Sequence, residues 1–222
     1  MKVAIIVAAG SGKRFGGQLP KQFLILNDRP VLAHSIEVFA KSGAHVMVVL
    51  SDDMKGFWEE QCRQFQVQNH QIVTGGNERY DSVKNAIAVI PSGCKLVAIH
   101  DAARPAIDVE FIDRMWKAAE DKGSAIPYWP IADSLRMNQN GEWKIIDRNL
   151  VRSIQTPQCF QWNLIQDAYE SEYLSIFTDD ASVVELVKPG SLNFELGLAE
   201  NIKITQSFDM DVMKAILSNR KF

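Results

Sequence analysis

Short apolar runs that alternate with amphipathic stretches constrain this chain more than any other feature of its sequence. Five runs are typical of buried strands, at residues 3–7, 46–50, 71–74, 96–99 and 124–128. Helical patterns lie between them. Strands and helices in alternation favour a mostly parallel sheet covered by helices on both faces. We therefore expect an α/β fold, a Rossmann-like three-layer sandwich with a mostly parallel central sheet.

Three segments repeat apolar residues at helical spacing and predict helices that pack on this sheet. Pro30 suits the first turn of the first helix, and Asp108 is a candidate cap of the third. Further helices are expected near 163–172, over 180–187 and from residue 209, with a strand near 201–205. The apolar positions of the three helices are Leu32, Ile36 and Phe39; Val83, Ala86, Ile87 and Ile90; and Phe111, Ile112, Met115, Trp116 and Ala119.

Residues 130–156 interrupt this alternation, because they contain no good helical pattern. Asn140-Gly141 is a strong hairpin-turn signal. Apolar residues lie on both sides of it, with Met137 before and Trp143 after. We predict a projecting β-hairpin arm within a single domain that spans residues 1–222. A connection of this length is usually functional or mobile.

Composition narrows the classes of protein that fit. The chain has 222 residues and a formal net charge of −3, so it lacks the basic surface that nucleic-acid binding requires. No run approaches the ~20 apolar residues of a membrane-spanning helix. The three cysteines form no CxxC pair, and the four histidines have no metal-ligand spacing. We expect a cytoplasmic protein that binds neither nucleic acid nor a membrane.

A glycine-rich loop follows the first strand and carries several cations. Gly10 and Gly12 let the backbone approach a ligand closely, and consecutive amides can cradle phosphate oxygens. Lys13, Arg14 and Lys21 add the charge that a polyphosphate requires. A P-loop is excluded because it needs Ser or Thr directly after its lysine. A dinucleotide fingerprint is excluded as well, because it needs a small residue where Phe15 stands.

Two other strands end in residues that could contribute to the same site, since ligands of such sheets bind beyond the carboxyl ends of the strands. Gly75-Gly76 would let a base lie against the backbone, although an ordinary turn with Asn77 as helix cap is the alternative. Asp101 follows the fourth strand. The single carboxylate of Asp101 would suit a Mg²⁺ ion whose other ligands are mainly the phosphate oxygens of a bound molecule.

Taken in order, the motifs of this chain resemble those of sugar-phosphate nucleotidyltransferases. The variant with Pro-Lys-Gln-Phe is similar to the 2-C-methyl-D-erythritol 4-phosphate cytidylyltransferase family, and the resemblance covers nearly the whole chain. The sequence departs from the usual pattern at Asn77, where many members carry Asp, and at Tyr80, where many carry a smaller residue. The matching segments are 8–15, 20–23, 75–83, 100–105, 130–134, 147–148, 155–158, 178–181 and 201–205.

This resemblance implies a reaction and a set of site residues. CTP and 2-C-methyl-D-erythritol 4-phosphate would give 4-diphosphocytidyl-2-C-methyl-D-erythritol and pyrophosphate, with Mg²⁺ as cofactor. Members of the family are homodimers whose arms interlock, so Arg148 could complete the neighbour's site. The implied catalytic residues are Arg14 and Lys21. The implied acceptor-phosphate contacts are Arg148, Lys203, Thr156 and Asp101. The implied nucleotide contacts are Ala8, Ala9, Gly10, Gly12, Gly75, Gly76, Asn77, Ser82 and Asp101, the last also a metal ligand.

Two alternatives remain at this point. A ribitol 5-phosphate cytidylyltransferase shares the glycine loop, Pro-Lys-Gln-Phe and Asn-Ile-Lys, and a nucleotide-binding regulatory module without turnover could retain the fold. We assign Arg104 a structural role. Asp179 and Asp180 are expected to cap the helix that follows them rather than to act catalytically.

Overall fold

The computed structural model describes residues 1–10 and 19–219. Single turns of 3₁₀ helix occur at Lys21–Phe23, Asp52–Met54 and Arg148–Leu150. The strands are β1 Lys2–Val7, β2 Ile25–Leu26, β3 Arg29–Pro30, β4 His45–Leu50, β5 Gln71–Thr74, β6 Leu96–Asp101, β7 Ser124–Pro130, β8 Leu135–Gln139, β9 Glu142–Ile146, β10 Arg152–Ile154, β11 Gln158–Gln161 and β12 Phe194–Leu196. The helices are α1 Val31–Lys41, α2 Lys55–Phe65, α3 Arg79–Ile87, α4 Val109–Lys122, α5 Trp162–Ala168, α6 Asp180–Val187 and α7 Ser207–Asn219.

One large sheet organises the chain. Its strand order is β10-β7-β11-β6-β1-β4-β5, and β12 pairs with β7 in addition. The pairs β6–β1, β1–β4 and β4–β5 are parallel, whereas β11 runs antiparallel to both of its neighbours. The carboxyl ends of β1, β4, β5 and β6 therefore meet at one edge of the sheet.

The two faces of the sheet are covered by different helices, as a three-layer sandwich requires. In β1, Ala4 and Ile6 pack against α1, α2 and α4, while Val3 and Ile5 pack against α3, α5 and α6. Successive side chains of a strand point to opposite faces, so a strand buried on both is apolar throughout. The predicted mostly parallel α/β sandwich is confirmed.

All five predicted strands form, with ends extended by at most two residues. The strand predicted near 201–205 does not, and this interpretation was wrong. No described strand pairs with the segment. Its backbone is fixed instead by a bond from the Ile204 N–H to the Ala103 carbonyl, at 2.9 Å. The alternating sequence pattern that suggested a strand is still seen in the burial of the side chains, since Ile204 is buried and Lys203 is exposed.

The predicted helices form with identifiable ends. Asp108 caps α4 by accepting from the Phe111 N–H at 2.8 Å, and α4 ends at Gly123, whose φ of 93° suits glycine. The sequence interpretation did not assign α2, which buries only Trp58. Within the described ranges, every helix is too short or too polar to cross a membrane.

Residues 135–146 form a hairpin. Strands β8 and β9 pair antiparallel from Leu135–Ile146 to Gln139–Glu142. Asn140 and Gly141 both have positive φ, 56° and 89°, which is the conformation of a two-residue type I′ turn. The side chains of this hairpin are exposed along most of its length.

Candidate active site

A cavity of about 550 Å³ lies at the carboxyl edge of the sheet. Its walls come from the residues that follow β1, β5 and β6, together with Lys21, Lys203 and Thr205. These are the three strand ends at which the sequence analysis expected a ligand. The parallel arrangement brings these three ends to the same edge of the sheet. In the sheet, β1 lies between β6 and β4, and β5 lies on the other side of β4.

The backbone after β1 is held on several sides. The Ala8 N–H donates to the Val49 carbonyl at 2.9 Å. The buried Gln22 amide donates to the carbonyls of Ala8 and Gly10, at 2.6 and 2.9 Å. A buried side chain of the Pro-Lys-Gln-Phe motif therefore fixes the beginning of the glycine-rich loop.

The turn after β5 requires glycine at both of its first positions. A Cβ at Gly75 would lie 2.6 Å from Ala9 Cβ, and one at Gly76 would collide with Asp81. The Gly76 N–H donates to the Ser82 hydroxyl at 3.1 Å. This close approach places the turn directly against the loop that follows β1.

The helix that follows this turn is capped by Glu78, not by Asn77. The Glu78 N–H donates to Asp81 at 3.0 Å, and the Glu78 side chain accepts in return, which is a capping box. Asn77 lines the cavity instead. The alternative in which Asn77 caps an ordinary turn is therefore wrong, and its side chain remains a candidate ligand contact.

Tyr80, one of the departures from the family pattern, packs away from the cavity. Its ring stacks on Tyr169 with 4.8 Å between centroids and on Phe177 with 5.6 Å. Its hydroxyl donates to the Ser171 carbonyl. The larger side chain thus joins α3 to the segment between α5 and α6.

Asp101, the last residue of β6, is an acid of the cavity whose carboxylate contacts two cationic side chains. Lys203 donates to its Oδ2 at 2.7 Å, and Arg79 approaches its Oδ1 at 3.4 Å. Burial alone would raise the pKa of this carboxyl, but the adjacent Arg79 and Lys203 cations outweigh it and hold the pKa well below the usual range. The side chain is therefore a carboxylate at any physiological pH.

The backbone of Asp101 is fixed by a buried chain of hydrogen bonds. Its N–H donates to the Thr156 hydroxyl at 3.1 Å, and that hydroxyl lies 3.0 Å from His100 Nδ1. His100 Nε2 donates to the Arg104 carbonyl at 3.1 Å, since a carbonyl can only accept. This places the ring proton on Nε2 and leaves Nδ1 to accept from Thr156. Burial lowers the pKa of His100 to about 4, so the ring is neutral.

Arg104 has the structural role expected of it. Its guanidinium donates to the Asn201 carbonyl at 2.7 Å and approaches the Ile154 carbonyl at 3.4 Å. These bonds tie the segment after β6 to the one that carries Lys203. Lys21 makes a similar link, because its ammonium donates to the Ile204 carbonyl at 2.5 Å.

The predicted site residues divide into three groups. Gly75 packs against Ala9 and Ser82 of the cavity wall, and Thr156 is buried beside Asp101. Arg148 lies in the 3₁₀ turn that follows β9 and donates to the Ala132 carbonyl. Gly12 and Arg14 lie outside the described residues. The residues that line the cavity as expected are Ala8, Ala9, Gly10, Lys21, Gly76, Asn77, Ser82, Asp101 and Lys203.

Sequence reasoning missed several cavity residues, among them Gln22 and Arg79, and it assigned the wrong role to one buried acid. Gln22 and Arg79 line the cavity, although only their motifs were noted. Asp179 caps α6 as expected, accepting from the Ser182 N–H at 2.9 Å. Asp180 does not, and that interpretation was wrong: its buried carboxylate accepts two bonds from Arg79. The 101 residues that separate this pair leave no local signal of it.

The side chains of the cavity suit a divalent cation that is bound partly by the protein and partly by a bound ligand. In the described ranges, no three His, Cys, Asp or Glu side chains are grouped so that they could hold a metal ion by themselves. Asp101 supplies one carboxylate beside a cavity lined by cations. Mg²⁺ is commonly bound in this way, by one or two carboxylates with phosphate oxygens and water as the remaining ligands.

Comparison with known proteins agrees with this geometry. A family model described as IspD, 2-C-methyl-D-erythritol 4-phosphate cytidylyltransferase, matches residues 2–219. A curated protein of that name from Porphyromonas gingivalis is 38% identical over 219 residues, which cover 98% of each chain. The one from Clostridioides difficile is 36% identical over 100% of this chain and 95% of its own.

Solved structures lead to the same group. The cytidylyltransferase of this name from Thermus thermophilus superposes with a TM-score of 0.77 at 26% identity, over 98% of this chain and 100% of its own. The synthase structure from Anaerococcus prevotii gives a TM-score of 0.83 over 98% and 96%; at 24% identity it supports the fold alone. Fold and cavity are those of a nucleotidyltransferase. The chain belongs to the 2-C-methyl-D-erythritol 4-phosphate cytidylyltransferase family.

Proposed function

We propose that this chain transfers a cytidylyl group from CTP to 2-C-methyl-D-erythritol 4-phosphate and releases pyrophosphate, a step in non-mevalonate isoprenoid precursor synthesis. The family match supports the reaction. One structural observation carries the proposal: Lys21, Lys203 and Asp101 line a single cavity whose walls are the glycine-containing loops after β1 and β5. The family match favours this acceptor over ribitol 5-phosphate.

The chemistry requires positioning more than proton transfer. An oxygen of the acceptor phosphate forms a bond to the α-phosphorus of CTP, and the bond from that phosphorus to the bridging oxygen breaks. The electron pair leaves with pyrophosphate. Since the acceptor phosphate is already ionised, no general base is needed. The obstacle is the approach of two anions, which preorganised cations can overcome.

The described cations suit that task. Lys21 would bind the triphosphate and the charge that develops on it, held by its bond to the Ile204 carbonyl. Lys203 would direct the acceptor phosphate. Arg14 is expected to assist Lys21. Mg²⁺, held by Asp101 and phosphate oxygens, would neutralise negative charge on the triphosphate.

Base recognition is assigned to the turn after β5. Glycine at positions 75 and 76 lets this turn pack closely against Ala9 and Asp81. Gly76 lines the cavity, so a planar base could lie against its backbone. The Asn77 side chain lines the cavity beside Ser82, so its amide can donate to and accept from the edge of cytosine. Ala8, Ala9 and Gly10 would contact the phosphates through their backbone.

We also infer a homodimer formed through the arm. Trp143, Ile145 and Leu150 expose 68, 77 and 83% of their surface. Large apolar side chains grouped on one projection indicate an interaction site. A second copy would cover them and bring its Arg148 towards the cavity. Three free cysteines and a cytidine nucleotide as substrate are consistent with a cytoplasmic location.

The reaction is tested by pyrophosphate release from CTP and Mg²⁺ with each acceptor separately. We expect release with 2-C-methyl-D-erythritol 4-phosphate and at least a hundredfold lower kcat/KM with ribitol 5-phosphate. The opposite preference would assign the ribitol reaction instead. CTP binding without release from either acceptor would indicate a regulatory module.

A further inference from the structure

Arg79 lies between two carboxylates and does not contact them equally. Its Nη1 and Nη2 donate to Oδ1 and Oδ2 of Asp180 at 2.9 and 2.7 Å. Its Nε is 3.4 Å from Asp101 Oδ1, at the outer limit of a hydrogen bond. The forked end of the guanidinium is therefore bound to Asp180, and only its inner nitrogen faces Asp101.

Asp180 is built to keep that end of Arg79. Its side chain is fully buried, whereas Arg79 is 30% exposed and borders the cavity. The Tyr169 hydroxyl donates to Asp180 Oδ1 at 2.7 Å. A carboxylate that receives two guanidinium bonds and one hydroxyl bond has a fixed orientation. The cation is thus held from the side away from the cavity.

This geometry decides which nitrogens of Arg79 can bind Asp101. A guanidinium that bound Asp101 through its fork would compete directly with a divalent cation for the same oxygens. By binding the fork elsewhere, Asp180 leaves the Asp101 carboxylate with one long contact to Arg79 Nε and one short bond from Lys203, which is an exposed side chain. Lys203 can move to another anion, whereas a buried bidentate arginine cannot do so readily.

We propose that Asp180 is a positioning residue: it binds the forked end of Arg79 and so keeps that end off Asp101, which leaves the Asp101 carboxylate available to the divalent cation that accompanies the nucleotide. This role rests on the proposed function. It adds to that function a residue that touches neither nucleotide nor acceptor.

The test measures binding, not turnover. The dissociation constant of CTP is determined by calorimetry without acceptor, once with Mg²⁺ and once with EDTA. The ratio of the two constants, here the Mg²⁺ factor, reports how strongly metal and nucleotide bind together. Association of Mg²⁺ with free CTP is common to all variants and cancels in their comparison.

We expect Asp180→Asn to reduce the Mg²⁺ factor roughly tenfold, near the lower end of what a hydrogen bond to a charged group contributes. The freed guanidinium would then pair with Asp101. Tyr169→Phe is the matched control, because it removes one bond to Asp180 and keeps the charge. Its factor should stay within about twofold of wild type.

A double variant separates charge placement from simple damage. Arg79→Gln combined with Asp180→Asn removes both charges of the buried pair, a change that proteins often tolerate. Asp101 then has no competing guanidinium, so the Mg²⁺ factor should be at or above that of wild type. This variant decides the question even where Asp180→Asn alone fails to fold.

The outcomes are distinct. A folded Asp180→Asn protein with the wild-type factor overturns the role of Asp180, as does a double variant whose factor lies below wild type. If the wild-type protein itself does not bind CTP, or binds it equally well with EDTA, the proposed function is wrong and the role of Asp180 is wrong with it.

Discussion

The Lys203 ammonium donates to Asp101 Oδ2 at 2.7 Å, although the two residues are 102 positions apart in the chain. Asp101 ends a central strand of the sheet, and Lys203 lies on an irregular segment bound to Ala103. The pair places a cation and a carboxylate side by side at the mouth of the cavity. Each can exchange its present partner for a phosphate or a metal ion.

Lys203→Met should lower kcat/KM for the acceptor roughly 10²- to 10³-fold, because it removes the cation proposed to bind the acceptor phosphate. The affinity for CTP should change much less. Steady-state kinetics with the acceptor varied measures the first quantity, and calorimetry measures the second. Lys214→Met is the control, since Lys214 is an exposed residue of α7 that pairs with the exposed Asp211. A variant that loses CTP binding but uses the acceptor normally would contradict this role.

Lys21→Ala should reduce kcat by roughly 10²- to 10³-fold while the protein stays folded. The reason is the loss of the charge that we propose acts on the triphosphate and that its bond to the Ile204 carbonyl holds in the cavity. Pyrophosphate release at saturating substrates measures kcat. Lys117→Ala removes an exposed lysine from α4 and should leave turnover unchanged. Near-normal turnover of a folded Lys21→Ala protein would rule out a catalytic role.

Gly75→Ala should destabilise the protein by about 1–3 kcal/mol and weaken CTP binding, because the new methyl group overpacks the turn. It would lie 2.6 Å from Ala9 Cβ and 3.1 Å from the Ser82 hydroxyl. Gly56→Ala is the matched control, since nothing lies within 4 Å of a Cβ in that helical position. There we expect up to about 1 kcal/mol of stabilisation. Urea denaturation of both variants makes the comparison, and equal stabilities would show that the turn can relax.

Stability should fall as the pH drops from about 6.5 towards 4. Burial lowers the pKa of His100 to about 4 in the folded protein, whereas an unfolded histidine titrates near 6.5. Between these values only the unfolded chain binds the proton, so acid favours unfolding, by up to roughly 3 kcal/mol. Above pH 7 the contribution of His100 is constant. Urea denaturation at pH 7 and pH 5 measures the difference.

His100→Asn assigns this pH dependence. The variant should be less stable at pH 7, because Thr156 and the Arg104 carbonyl lose their partner. Its stability should nevertheless depend less on pH between 7 and 5 than that of wild type. Some dependence should remain, since burial also lowers the pKa of His34 and His70. An unchanged pH dependence would exclude His100 as its source.

Ile145→Asp should convert the proposed dimer to a monomer, because it places a charge in the apolar surface of the arm. Sedimentation velocity measures the assembly, and the melting temperature should stay within a few degrees, since Ile145 is exposed. Phe208→Asp alters a similarly exposed residue at the start of α7 and should leave the assembly intact. A dimer that persists in Ile145→Asp would locate the interface elsewhere.

Local patterns predicted five strands of the large sheet and most helices, because burial on two faces demands continuous apolar runs and a single covered face demands helical spacing. The central strand β11 was missed because its sequence, Gln158–Gln161, begins and ends with amides. Gln158 is nevertheless fully buried: it donates to Asp179 at 2.8 Å and accepts from the Ala181 N–H at 2.8 Å. Only the tertiary fold supplies those partners.

Only part of the candidate site could be predicted, because some of its contacts are likewise supplied by the tertiary fold. Glycines and cations in the loops after strands can be found by position, since the edge of a parallel sheet brings such loops together. The pairing of Arg79 with Asp180 and the placement of Thr156 behind Asp101 depend on contacts between distant segments. A motif names these residues but does not say which atoms they bind.

Strands β8 and β9 pair with each other and, across the described residues, with no strand of the large sheet. Substitutions in the hairpin therefore leave the hydrogen-bond ladder beneath the cavity unchanged. Evolution can alter the hairpin, in length or in composition, without disturbing the residues that line the cavity. The proposed assembly and the proposed catalysis can therefore diverge at different rates within one gene product.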